Sequence, residues 1–420
     1  MIGRTNAVSK PGVELSLVVS VTSGAAVTAT KGSKTVNGTA SGGSCVLALP
    51  EAGTWSVKAT LNGQTSDTKS VSVVDSYAVA LTFFSATITV NVDSGASVVL
   101  KKGGTTVQSK TSTGTAVFTV TETGAYTVEA TKNGQTVSGS VNVVSSTTTY
   151  ALTLSFVSST LNNNDWSVIK SVSDAGQGAN YWSIGDRKAV TLNGTVGKLS
   201  LSNVTTYAFI IGFNHNASVE GSNRIHFQLA KTALSGGTDV CFCDSQYGPD
   251  SGWSAPGAGY FVMNASNTNS GGWASSQMRT AICGTSLSSY AGTIIAVIPA
   301  ALRAVLKSVT KYTNNTGNSS SASAVTATTD YFFLLSEYEV FGSISYANSN
   351  ESSKQAQYSY YSAGNSKVKY KHNGTTTAAF WWLRSPGASG SGIFVIVGTD
   401  GTVSYSGAYF SLGFAPGFCV

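Results

Sequence analysis

The chain has 420 residues, 41% of them hydrophobic, which is enough apolar material for more than one core and, at ordinary domain sizes, for roughly two to three domains. Charged side chains make up only 10%, against roughly 25% in an average soluble protein, and Ser, Thr, Asn and 45 Gly stand in their place. The net charge of +6 is spread evenly, with 10 basic and 7 acidic side chains before residue 157 and 15 and 12 from there on, so no basic face is offered and nucleic acid is a poor partner.

Residues 1–12, short and polar around Pro11-Gly12, are expected to form an attachment arm. Met1 to Leu15 has no apolar run of the signal-peptide kind, so synthesis in the cytoplasm without a leader is expected. From Val13 apolar and polar residues alternate between Ser-Gly and Asn-Gly turns, the pattern of short antiparallel strands. Two copies of one unit follow. SGAAVTATKGSKTV at 23–36 matches SGASVVLKKGGTTV at 94–107, and GTWSVKATLNGQT at 53–65 matches GAYTVEATKNGQT at 124–136. Turn signals spaced roughly 8 to 12 residues apart predict a sandwich of about seven strands in each copy, over 13–84 and 85–156. Trp55 and Tyr126 are equivalent and are the expected core aromatics; Cys45 aligns with Ala116, so no chemical role is expected of that thiol. The modules resemble bacterial Ig-like domains, of the kind strung along phage virion proteins and bacterial surface proteins, which implies a spacer role.

Near 157–161 the repeat ends, and Ser158 to Asn164 is the expected linker into a third domain at 157–420. Two helices are predicted there. One has Pro299 in its first turn and Leu302, Val305, Leu306 and Val309 on one buried face. The other follows Trp273, capped by Ser275 or Ser276, with Met278 and Ile282 inward. The apolar run Thr293 to Leu306 is broken by Pro299 and Arg303 and falls short of the roughly 20 residues that span a bilayer, so no membrane contact is expected. Strands and Gly/Ser/Asn loops such as Asn314 to Ala324 fill the rest, giving an α+β domain.

The residue types that carry chemistry form no evident catalytic set. Cys241 and Cys243, about 6.6 Å apart along a strand, have no second Cys/His pair at ligand spacing, and free buried thiols are expected. His215, His226 and His372 share no triad or metal spacing. Asp239, Asp244 and Asp250 match no calcium loop, so no metal and no cofactor is expected. Arg279, Arg384, Glu337 and Glu339 are charges inside apolar or aromatic runs, where buried charges are paired. An ion pair of Arg384, or Arg279, with Glu337 is predicted; the rival, a carboxylate pair of Glu337 and Glu339 on one face of a strand, lacks an accompanying His or Lys.

The ordered runs WSIGDRKAV (182–190), GGWASSQMR (271–279), IPAALRAVLKSVTK (298–311), DYFFLLSEYEVFG (330–342), WWLRSP (381–386) and GFAPGFCV (413–420) resemble the DUF6273 type of domain over about 160–420. That family occurs in phage and Clostridia-type Gram-positive proteins and is similar to the C-type lectin fold of phage tropism determinants and formylglycine-generating enzymes. The resemblance implies a C-type-lectin-like domain behind two Ig-like sandwiches, with a framework of Trp381 to Pro386 and Gly413 to Val420. It also implies a ligand-binding face at Ser389, Ser391, Phe394, Ser404, Tyr405, Ser406, Tyr409 and Phe410. The expectation is therefore a phage virion fibre or adhesin, not an enzyme. Its arm would dock on other virion proteins and its last domain would bind a host-surface glycan or protein, with a homotrimer as one assembly. A decoration or tail component without receptor binding, a glycan-acting enzyme and a bacterial surface protein are the alternatives.

Overall fold

The computed structural model describes residues 15–247 and 255–420, and the chain divides after Phe156 into two compact units. The expected arm at 1–12 and Asp250 lie outside the described residues. With 44% of residues in strands and 14% in helices, the fold is mostly β.

The first unit holds two sandwiches. In the first, β1 (Ser16–Ser20) lies between β4 (Ser44–Ala48), antiparallel, and β8 (Tyr77–Ala80), parallel. The facing sheet runs β3 (Lys34–Thr39), β2 (Ala26–Lys31), β5 (Gly53–Leu61) and β6 (Gln64–Thr65), with β7 (Lys69–Val73) also on β5. The second repeats the plan. β9 (Ala86–Asn91) sits between β12 (Thr115–Val120) and β15 (Thr149–Thr153), opposite β11 (Thr105–Thr111), β10 (Ser97–Lys102), β13 (Gly124–Lys132) and β14 (Gln135–Val143). Each is Ig-like in being two facing sheets of short strands, and the two share one strand order.

Alternation decides these cores. Trp55, Val57 and Ala59 point inward from β5, and Tyr126, Val128 and Ala130 from β13. Each core aromatic also places its polar end identically: Trp55 Nε1 donates to Glu51 O (3.2 Å) and Tyr126 OH to Glu122 O (2.9 Å). The hairpin turns Asn62-Gly63 and Asn133-Gly134 have φ of 50° and 81°, and 50° and 80°, the left-handed pair that a two-residue hairpin needs. Cys45 is buried where Ala116 is buried in the other copy.

In the second unit a long hairpin of β16 (Arg187–Val196) and β17 (Leu199–Phe213) leads to β18 (Ile225–Lys231), and the sheet continues through β28 (Gly417–Cys419) to β22 (Phe332–Phe333). Around it stand β19 (Val240–Cys241) with β23 (Lys369–Lys371) and β24 (Gly374–Ala379), and the ribbon β20 (Val309–Asn314) with β21 (Val325–Asp330). A third group is β25 (Trp381–Pro386), β26 (Ile393–Val397) and β27 (Val403–Gly407). Trp381, Trp382 and Leu383 are fully buried, and so is the run Gly413 to Val420.

The helices are shorter than their sequence pattern predicts. After Pro299 only Ala300–Arg303 is helical, and Val309 already opens β20. The Arg303 guanidinium donates to Ile295 O, Ala296 O and Ile298 O, folding the preceding turn onto this one, and Lys307 N–H bonds Cys419 O instead of continuing the helix. After Trp273 the chain makes a wide turn over Met278–Cys283, with Ser276 Oγ accepting from Arg279 N–H and Met278 and Ile282 buried as predicted. Glu337–Phe341, which the carboxylate-pair alternative required as strand, is a helix begun by a capping box in which Ser336 Oγ accepts from Glu339 N–H and the Glu339 carboxylate accepts from Ser336 N–H. On a helix, residues two apart face different ways, so Glu337 and Glu339 share no face.

Candidate functional site

The residues expected on a binding face separate by burial. Ser389 and Ser391 are exposed in the loop between β25 and β26, Tyr405 on β27 is 49% exposed, and Ser404, Tyr409 and Phe410 are half-buried. Phe394 and Ser406 do not belong to the face. They oppose one another in the β26–β27 register and are buried, because alternation along β27 turns Ser406 inward next to outward Tyr405.

Tyr405 stands edge-on to Tyr346, with ring centroids 4.9 Å apart, and Tyr409 stacks on Phe410 at 4.4 Å. Backbone clamps hold the loops that carry them. Asn269 Nδ2 donates to Gly387 O (3.2 Å), Gly390 O (3.0 Å) and Ile393 O (3.0 Å), and Asn318 Oδ1 accepts from Gly390 N–H (2.8 Å). Gly407 is needed where it stands, since a Cβ there would lie 2.9 Å from the Tyr409 ring and 3.0 Å from Asn267 Oδ1.

Glu337 serves this face instead of an arginine. Its carboxylate accepts from Ser345 N–H (2.5 Å), Tyr346 N–H (3.2 Å) and Ala347 N–H (2.7 Å), fixing the turn that carries Tyr346. Burial raises its pKa and the three N–H bonds oppose that rise. The predicted ion pair with Glu337 is therefore corrected. Arg384 makes a bidentate bond with Glu339 (2.5 and 2.8 Å), and Arg279 bonds Asp330 (2.6 Å). The capping box is the reason: the helix from Glu337 turns Glu339 toward β25 and leaves Glu337 facing the 345–347 turn.

Glu339 is one corner of a buried polar cluster that the scattered histidines did not announce. Lys311 Nζ lies 2.6 Å from Glu220 Oε2, 2.9 Å from Glu339 Oε1 and 2.8 Å from Tyr358 OH, and 4.2 Å from the Phe333 ring centroid. His215 stacks on Tyr358 at 3.7 Å, and His226 Nδ1 is 3.2 Å from both Tyr358 OH and Cys419 Sγ. Burial would raise Glu339, but the Arg384 and Lys311 charges hold its carboxyl well below the usual range. Burial wins at Glu220, pushed up to about 7 against the pull of Lys311, and at Glu351, also up to about 7. Burial, then Lys311, pushes His215 down to about 3. His215, Glu220 and Glu339 have ligand atoms within 4.8 Å of one another. They do not fit a metal ion, because the Lys311 ammonium already bridges the two carboxylates and Arg384 takes both oxygens of Glu339. The sequence signal that pointed to Arg384, a charge inside an apolar run, marks neither Lys311, which stands in Val-Thr-Lys-Tyr-Thr, nor Glu220.

The remaining candidates are committed elsewhere. Asp239 pairs with Lys231 and lies 3.7 Å from Lys369 Nζ, opposite them on neighbouring strands. Asp244 accepts from Phe261 N–H, Gln246 N–H and Ser411 OH and so braces its loop. All five cysteines are free and buried, with Cys241 and Cys243 Sγ 3.8 Å apart, and His372 Nδ1 accepts from Cys243 N–H.

No curated protein matches the chain. Among solved structures, the minor pilin GBS52 of Streptococcus agalactiae is 11% identical, covers 34% of this chain and 97% of its own, and has a TM-score of 0.22. The pilus adhesin SpaC of Lactobacillus rhamnosus GG is 12% identical over 34% of this chain and 30% of its own, at 0.18. The Bacillus anthracis TIE protein is 14% identical over 46% and 41%, at 0.17. Likenesses at these TM-scores carry no argument. Residues 260–420, which include the 337–341 helix, Arg384 and the whole candidate face, match the family described as a domain of unknown function, DUF6273.

Proposed function

We propose that the chain is a surface-displayed adhesin whose tandem sandwiches act as spacers and whose C-terminal unit makes contact with a cell surface. The observation that carries this reading is the Tyr405, Tyr346, Tyr409 and Phe410 ring set on clamped Ser/Gly/Asn loops, a composition shared with rigid aromatic binding surfaces. The sandwiches support the spacer role: their cores are apolar, and the exposed ion pairs Lys34–Glu51 and Lys102–Glu122 have no catalytic geometry. In this reading the protein binds without turnover, needs no cofactor, and is carried on a phage particle through residues 1–12. Display in several copies, as a trimer would give, raises avidity where a single face binds weakly. No helix among the described residues is long and apolar enough to cross a membrane.

The test is binding of the purified chain to candidate host cells, scored against the double variant Tyr405→Ala, Tyr409→Ala with an unchanged melting curve. Binding that is lost in the variant supports the adhesin; no binding by the parent chain overturns it.

A further inference from the structure

Five segments, the last carrying Tyr405, are tied to one another, and not one of them contains Lys, Arg, Asp, Glu or His: 264–270, 316–321, 343–349, 387–392 and 404–411. Asparagines join them. Asn264 N–H bonds Ala408 O, Asn269 N–H bonds Ser391 O, Asn318 Oδ1 takes Gly390 N–H, and Asn348 Nδ2 donates to Ser319 O and Ser321 O. The fourth and third segments are tied by Ala388 N–H to Tyr346 O (2.8 Å). Glu337 and Glu351, adjacent to these segments in the chain, are buried: Glu337 accepts from Ser345 N–H, and Glu351 from Asn314 N–H and Ser385 Oγ–H. These five segments therefore offer rings, amides, hydroxyls and peptide groups, and no charged side chain of their own.

That chemistry selects among ligands. An anionic polymer is held by Arg or Lys, and this surface has neither. A protein epitope brings charged groups at about a quarter of its positions, and docking it here would strip their water without supplying partners. A neutral sugar suits the surface, because its C–H face packs on an aromatic ring while its hydroxyls need groups that both donate and accept. Asn267 offers such a group: its exposed carboxamide is seated over Gly392 and Gly407, where added Cβ atoms would lie 2.8 and 3.0 Å from its Oδ1.

We propose that this face binds an uncharged glycan, with pyranose rings on Tyr405 and on the Tyr409–Phe410 pair and hydroxyls bonded by Asn267. Recognition in this proposal needs no calcium, because none of the five segments carries a carboxylate. The proposal rests on the adhesin reading and specifies its ligand class.

The experiment is binding of the full chain to an array of neutral (glucose, galactose and N-acetylhexosamine) and anionic (sialylated, uronate and phosphate-bearing) oligosaccharides, beside the host-cell assay. Neutral probes are expected to bind with less than about twofold change between 20 and 500 mM NaCl and with EDTA, since uncharged contacts are not screened. Asn267→Ala and Tyr405→Ala, each exposed and outside the core, are expected to weaken binding about tenfold, the loss of one well-made contact. Preference for anionic probes, or cell binding with no neutral probe bound, overturns the ligand class and leaves the adhesin standing. Absence of both cell and glycan binding overturns both.

Discussion

The two units solve the same problem, burying a core beneath a weakly charged surface, in opposite ways. In the sandwiches the core is apolar apart from the buried hydroxyls of Ser66 and Ser112, with residues such as Val57 and Val128 placed by alternation and the ion pairs left outside. In the C-terminal unit Lys311, Arg384, Glu339, Glu351 and His226 are fully buried. The difference follows from what each must hold. A sandwich strand satisfies its backbone through its neighbours. The long loops of the second unit have no such partners, and buried side chains such as Glu337, Asn269 and Asp244 supply them.

Breaking the charged core tests this most severely. Glu339→Ala leaves Lys311 and Arg384 buried without their shared carboxylate and is expected to cost about 3–5 kcal/mol, unfolding the C-terminal unit while the sandwiches melt as before. Calorimetry of the full chain reads both transitions, and a single shared shift would refute the contrast.

Acidity sharpens the comparison by a smaller amount. Glu220 and Glu351, raised to about 7 in the fold, contribute stability that is complete below their unfolded pKa near 4.5 and is lost as pH rises through 7. His215, lowered to about 3, contributes in the other sense, with stability present above about 6.5 and lost as pH falls toward 3. Between pH 4.5 and 6.5 the two oppose each other. From pH 6.5 to 8 the carboxyls dominate, and the C-terminal unit is expected to lose on the order of 1 kcal/mol. Chemical denaturation across that range measures it, and Glu351→Gln should flatten the slope.

The smallest effect is in a sandwich. Cys45→Ala installs the residue that the second copy carries at the same place, and a cost of about 1 kcal/mol or less is expected, the loss of one small buried group. A loss above about 3 kcal/mol would mean that the copies are not equivalent in packing.

The sandwiches were legible because their pattern is local: Asn-Gly turns, period-two alternation and a repeat placed Trp55 and Tyr126 inside without knowledge of any distant contact. The candidate face was legible in part. Ser389, Ser391 and Tyr405 are outside as expected, while Phe394 and Ser406 are inside, because which side of β26 and β27 meets the core depends on what packs there. Ser336 to Glu339 held a capping signal in four consecutive residues that the strand-like run around it obscured.

What the sequence determined by itself was the module count, the sandwich cores, the buried Trp381-Trp382-Leu383 strand and the absence of charged side chains across the candidate-face segments, since composition and short-range periodicity fix these. Tertiary structure alone decided the partners. Arg384 meets Glu339, Lys311 meets Glu220 from 91 positions away, and Tyr346 meets Tyr405. A charge or ring in a sequence announces that it needs a partner; only the folded chain, closing loops of arbitrary length, determines which one comes within reach.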